Sequence, residues 1–126
     1  MALENSELTD CEKKWMELIL SKKFLHRDEV INQINYAKVI REYTDYYLAL
    51  KFCIEEGIQP VRIRTGVPVE MRVYKKDYVP IQFLLHITCG YVSELEIFKA
   101  DSSNIKAESS LTDGEVEILL NPEVMC

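Results

Sequence analysis

A chain of 126 residues and 14.7 kDa is long enough for one core that buries roughly two-thirds of its unfolded surface, and too short for a second. Its 21 acidic and 15 basic side chains leave a net charge of −6, which repels phosphate backbones and anionic bilayers and argues against nucleic-acid and membrane partners. No window holds the run of about 18 apolar residues that spans a bilayer. MALENSELTD lacks the positive start and apolar core of a secretory signal, so a cytoplasmic location is the expectation.

Thr9 followed by Glu12 spells a capping box, and Trp15, Met16, Leu18 and Ile19 repeat at helical spacing. They predict a helix from about Asp10 to Lys22, with Lys22 and Lys23 near its negative end. Trp15 on such a helix reads as core. Asp28 and Glu29 ahead of Val30, Ile31 and Ile34 predict a second helix from about Arg27 to Asn35. His26 falls at the junction, solvated and without a partner evident in sequence.

From Tyr36 to Glu56 the apolar spacing fits helix and strand about equally, but the β-branched and aromatic content leans to strands over Ala37 to Tyr43 and Tyr46 to Ile54, turning at Thr44-Asp45. Gly57, Pro60 and Pro68 then punctuate a connection.

The stretch VPVEMRVYKKDYVPIQFLLHITCGYVSELEIFKAD, 67–101, carries three runs of period two. One face holds Val67, Val69, Met71 and Val73, then Val79, Ile81, Phe83, Leu85 and Ile87, then Ser93, Leu95 and Ile97. All are odd-numbered, so antiparallel pairing needs odd-length loops, and Lys76-Asp77-Tyr78 and Cys89-Gly90-Tyr91 serve as three-residue turns. Met71 then faces Phe83, and Phe83 faces Ile97. On the outer face Arg72 opposes Gln82, His86 opposes Glu94, and Leu84 lies between Glu70 and Glu96. After Asp101 small polar residues mark a loop, and Val116, Ile118 and Leu120 allow a short C-terminal strand or docking arm before Asn121-Pro122. The fold class that results is α+β: two N-terminal helices packed on an antiparallel sheet of about five strands, in one domain spanning 1–126 with a polar tail over 102–126.

Chemistry is sparse. Cys11, Cys53, Cys89 and Cys126 form no C-x-x-C pair and have no histidines at zinc spacing, so they read as reduced thiols. The four glycines are isolated and cradle no phosphate; no cofactor and no catalytic residue is assigned. His86 with Glu94 and Glu96 is the best candidate for acid–base or metal chemistry, because a carboxylate orients an imidazole and raises its basicity. Against it stands a plain exposed cross-strand pair. A partner-binding reading takes Glu70, Tyr74, Leu84, His86, Glu94, Glu96 and Phe98 together, as aromatic and apolar anchors ringed by negative charge, provided that the C-terminal segment does not fold over them.

Asp77-Tyr78-Val79-Pro80-Ile81, Leu84-Leu85-His86 and Glu94-Leu95-Glu96-Ile97-Phe98-Lys99-Ala100-Asp101 resemble a family of small bacterial proteins classed as a domain of unknown function. Its hairpin reads roughly D-G-V-P-I, L-L-H and L-x-E-L-E-I-F-K-x-D after short helices. Tyr78 stands here where that pattern has a turn glycine. The resemblance implies an α+β domain with an antiparallel sheet and no assigned enzyme activity. Small acidic bacterial domains include immunity and adaptor proteins, an analogy by size and charge. The expectation is a non-enzymatic protein-interaction domain, immunity-type by that analogy, with a protein partner of unassigned identity and an unassigned oligomeric state; the alternative is a small-molecule or metal-binding protein or enzyme built on His86, Glu94 and Glu96.

Overall fold

The computed structural model describes residues 2–76, 79–105 and 110–125. Two helices, α1 (Asp10–Ile19) and α2 (Arg27–Asn35), precede strands β1 (Ala37–Tyr43), β2 (Tyr47–Ile54), β3 (Val69–Tyr74), β4 (Ile81–Thr88), β5 (Tyr91–Lys99) and β6 (Glu115–Leu120), and a 3-10 turn over Pro122–Val124 follows. The six strands form one antiparallel sheet in the order β1-β2-β5-β4-β3-β6. The fold is α+β, with six strands rather than about five, because the alternating 115–120 segment pairs along β3, Met71 against Ile118. No helix among the described residues is long and apolar enough to cross a membrane.

Thr9 and Glu12 close the capping box reciprocally at the start of α1. That helix ends at Ile19, not Lys22. Leu20 and Phe24 are both drawn into the core, the Ser21 hydroxyl donates to the Leu18 carbonyl, and Lys22 reaches across to donate to the Ile118 carbonyl of β6 at 3.1 Å. Lys22 therefore caps a sheet edge instead of a helix end. Helix α2 matches its expected span. At its start His26 adopts φ 68°, and its Nδ1 lies 2.8 Å from Glu29, the partner that sequence reading did not supply.

Both helices cover the face whose period-two residues were legible. Met71, Phe83, Leu85, Leu95 and Ile97 are fully buried there with Met16, Ile19, Val30 and Ile34, and Trp15 meets Phe83 edge to face at 6.4 Å. The registers of Met71 with Phe83 and Phe83 with Ile97 are as expected. Asp77 and Tyr78 of the first expected turn lie outside the described residues.

The second turn differs from expectation. Cys89 and Gly90 have φ 52° and 82°, the two positive values of a two-residue type I′ turn, whose twist suits a hairpin. His86 still opposes Glu94 but Ile87 opposes Val92, so Ser93 is the extra residue of a β-bulge. Its hydroxyl donates to the His86 carbonyl at 3.1 Å. A two-residue turn plus one bulged residue restores the same parity as a three-residue loop, which is why the distal register was read correctly. Near the turn the alternation flips: Val92 is the buried residue, in place of Ser93.

Candidate functional site

The outer face of the sheet is free of the helices. Alternation along the described strands sends Lys38, Ile40 and Glu42 of β1 outward, then Tyr47, Ala49 and Lys51 of β2, Glu94, Glu96 and Phe98 of β5, Gln82, Leu84 and His86 of β4, Glu70, Arg72 and Tyr74 of β3, and Glu115, Glu117 and Leu119 of β6. All seven residues grouped by sequence, Glu70, Tyr74, Leu84, His86, Glu94, Glu96 and Phe98, lie on this face. The described strand and turn of the C-terminal segment do not fold over them. Its strand extends the sheet edge, and Val124 turns back to the helix side, where its carbonyl accepts from the Leu25 amide at 2.8 Å.

Pairing across this face has a defined pattern. Leu84 sits between Glu70 and Glu96, and Phe98 between Tyr47 and Gln82. His86 faces Glu94 in register, yet its Nε2 contacts Glu96, on the diagonal, at 3.0 Å. Lys51 also opposes Glu94 in register but places its ammonium 2.8 Å from Glu42. The Lys51 hydrogen bond, with a further one from Tyr47, lowers the Glu42 pKa and raises that of Lys51. Glu94 is left with no hydrogen bond or ion pair among the described residues, a bare carboxylate flanked by His86 and Lys51. Six carboxylates face outward against three lysine or arginine side chains on the described strands. Tyr74 donates to Glu117 at 2.9 Å, and Ile40 is 56% exposed. Glu70 and Leu84 also line a shallow groove with Val67, Leu119 and Pro122. No group of three His, Cys, Asp or Glu side chains suited to a metal ion occurs among the described residues.

A second polar constellation lies on the helix side, and sequence reading missed it. Glu12, 1% exposed, accepts from Arg41 Nε and Nη2, both at 2.6 Å, from the Thr9 amide at 2.9 Å, and from the Tyr43 hydroxyl. Burial alone would raise its pKa, but the Arg41, Thr9 and Tyr43 hydrogen bonds outweigh it and hold the carboxyl at about 2. Burial and the Glu12 contact push the Tyr43 phenol up. Only the capping box marked Glu12 in sequence; Arg41 and Tyr43 sit at alternate positions of β1, which was legible, but their common target was not.

Beside Tyr43 opens a groove of about 480 Å³, with Trp15, Leu48, Ile105 and Leu111 as apolar walls and Cys11, Lys14, Thr44, Asp45, Ser110 and Thr112 as its polar lining. Cys11, Cys53 and Cys89 are exposed free thiols, scattered over the surface, and Cys126 lies outside the described residues.

No curated protein and no solved structure matches the chain. A family model described as a domain of unknown function covers residues 5–108, from the segment before α1 through β5; β6 begins beyond it, at Glu115. On that coverage the chain belongs to the DUF6984 family.

Proposed function

We propose that this domain is a non-enzymatic protein-interaction module whose outer sheet face docks a basic protein surface. The observation that carries the reading is the acidic face itself: six carboxylates against three cations on the described strands, Glu94 in no hydrogen bond or salt bridge among the described residues, and Leu84, Phe98 and Tyr74 set among them. Half-buried apolar residues within a charged frame give a partner both contact area and register. Complementary charge accelerates encounter and rejects acidic competitors. An immunity-type inhibitor, meeting a cationic partner enzyme in a bacterial cytoplasm, is the form of this role that size, charge and the hairpin resemblance favour.

Charge reversal tests it. Glu94→Lys with Glu96→Lys is expected to lower affinity for a captured, purified basic partner by about a hundredfold at low salt. The wild type is expected to show the steeper loss of affinity as salt rises. Circular dichroism of the variant stays unchanged, because both side chains are on the solvent side of the sheet. Equal affinity and equal salt slopes for the two proteins reject this face as the contact.

A further inference from the structure

The groove beside α1 has properties that the outer face does not share. Four polar side chains of the described residues are buried: Asn5, Glu12, Gln33 and Thr112. Three are consumed by the fold. Asn5 donates to the Ile34 and Ala37 carbonyls. Gln33 donates to the Gln59 and Gly90 carbonyls and accepts from the Val92 amide, and Glu12 takes the four bonds given above. Thr112 is the exception. It lines the groove at 9% exposure, and its hydroxyl has no hydrogen-bond partner among the described residues. Its oxygen is open to the groove and not sealed in the core, so a polar group that enters the groove can take the place of water on it.

The second unspent group is Lys14, one turn along α1 from Cys11 and next to Trp15. Its ammonium makes no ion pair or hydrogen bond among the described residues, although the chain carries an excess of carboxylates. Asp45, the acid in the same lining, is engaged in an interaction of its own. A cation and a hydroxyl are the donor pair that recognises a carboxylate. Trp15, Leu48, Ile105 and Leu111 supply the apolar surface for the body that carries it, and about 480 Å³ suits a small organic molecule.

The walls are also held in place. The Ile105 amide donates to the Asp45 carbonyl at 2.8 Å, joining the two lips. The Tyr43 ring is 51% exposed, yet its hydroxyl is fixed to buried Glu12. A site that is already ordered loses little entropy on binding.

We infer that the groove formed by α1, the β1–β2 turn, Ile105 and Ser110 to Thr112 binds a small amphipathic carboxylate, its apolar tail against Trp15, Leu48, Ile105 and Leu111 and its acid group at Lys14 and Thr112. The site is on the helix side of the sheet, separate from the face proposed for protein docking, and it stands whether or not that docking occurs.

Trp15 is the single tryptophan of the chain, so its fluorescence reports occupancy directly. Titrating the full chain with octanoate and decanoate is expected to give a saturable change in Trp15 emission, with decanoate tighter because more tail is buried. Lys14→Gln and Thr112→Val are each expected to weaken decanoate binding, Lys14→Gln by at least about tenfold. Lys14 is exposed and makes no ion pair among the described residues, and Thr112→Val preserves shape, so both variants keep the wild-type urea midpoint. Glu94→Lys with Glu96→Lys, on the opposite face, leaves decanoate affinity as it was. Three results overturn the inference: no saturable change with decanoate below its micellar range; affinity unaltered in both groove variants; or octylamine and octanol binding as tightly as octanoate, which would assign the groove to an apolar occupant without an acid group.

Discussion

Arg41→Met is expected to destabilise the protein by about 2–4 kcal/mol, read as a lower midpoint in urea denaturation. The methionine keeps most of the apolar stem but removes both bonds to Glu12 and the one to the Glu7 carbonyl. A carboxylate that is almost fully buried is then left with Thr9 and Tyr43 alone. Breaking a buried pair from one side costs more than the pair contributes, because the remaining charge keeps its desolvation penalty. Arg41's side chain is one-third exposed, so water relieves part of that penalty and places the effect toward the lower end of the range for such pairs. An unchanged midpoint would show that the pair contributes nothing to holding α1 on β1.

The same group sets an acid limb. Glu12 has a folded pKa of about 2 against 4.5 for the free side chain, so the native state holds its charge more tightly than the unfolded chain does. A depressed carboxyl contributes stability that is fully present above the unfolded value and disappears as pH falls through the folded one. The loss therefore runs from about pH 4.5 down to about pH 2, and the shift corresponds to about 3 kcal/mol. Glu12→Gln, which can still close the capping box, is expected to be less stable at pH 7 and to show a flatter dependence across that window. If variant and wild type lose stability in parallel on acidification, the acid limb belongs to other carboxylates.

What could be read in the sequence follows the range of the interactions concerned. Strand parity is local, and it places Met71, Phe83, Leu85 and Ile97 on one face and Glu70, Leu84, Glu94 and Phe98 on the other from the residues alone. The bulge at Ser93 escaped because a shorter turn and an inserted residue cancel in the register. Thr9 and Glu12 announced the start of α1, but its end at Ile19 coincides with Leu20 and Phe24 entering the core and Lys22 meeting a β6 carbonyl 96 residues away, which no local pattern encodes. The outer-face cluster was legible because it is a property of alternation. Glu12 with Arg41, and Thr112 with Lys14, were not, because each joins segments whose juxtaposition exists only after the helices dock on the sheet. His86 with Glu96 instead of Glu94 is a matter of rotamer, one step finer than register.

Gly90→Ala is expected to cost about 2–4 kcal/mol, and Gly57→Ala no more than about 1 kcal/mol. Both glycines have positive φ, 82° and 94°, so the backbone penalty for an added Cβ is common to them. Their surroundings differ. A Cβ at Gly57 meets nothing within 4 Å, whereas one at Gly90 would lie 2.7 Å from Pro60 Cβ and 2.9 Å from the Val61 carbonyl oxygen. Those atoms cannot retreat cheaply, because the Gly90 carbonyl accepts from the Val61 amide at 2.8 Å and from Gln33 Nε2 at 3.0 Å. Gln33 in turn holds the Val92 amide at 2.8 Å. Displacing the turn thus loosens a buried amide network that links α2, the connection after β2 and the β4–β5 hairpin. Since that hairpin carries His86 and Glu94 outward, faster hydrogen exchange at the Val61 and Val92 amides should accompany weaker partner binding in Gly90→Ala and not in Gly57→Ala. Equal stability of the two variants would mean that the approach of Pro60 to the turn is not a constraint on the folded state, and that the turn conformation alone accounts for the glycine.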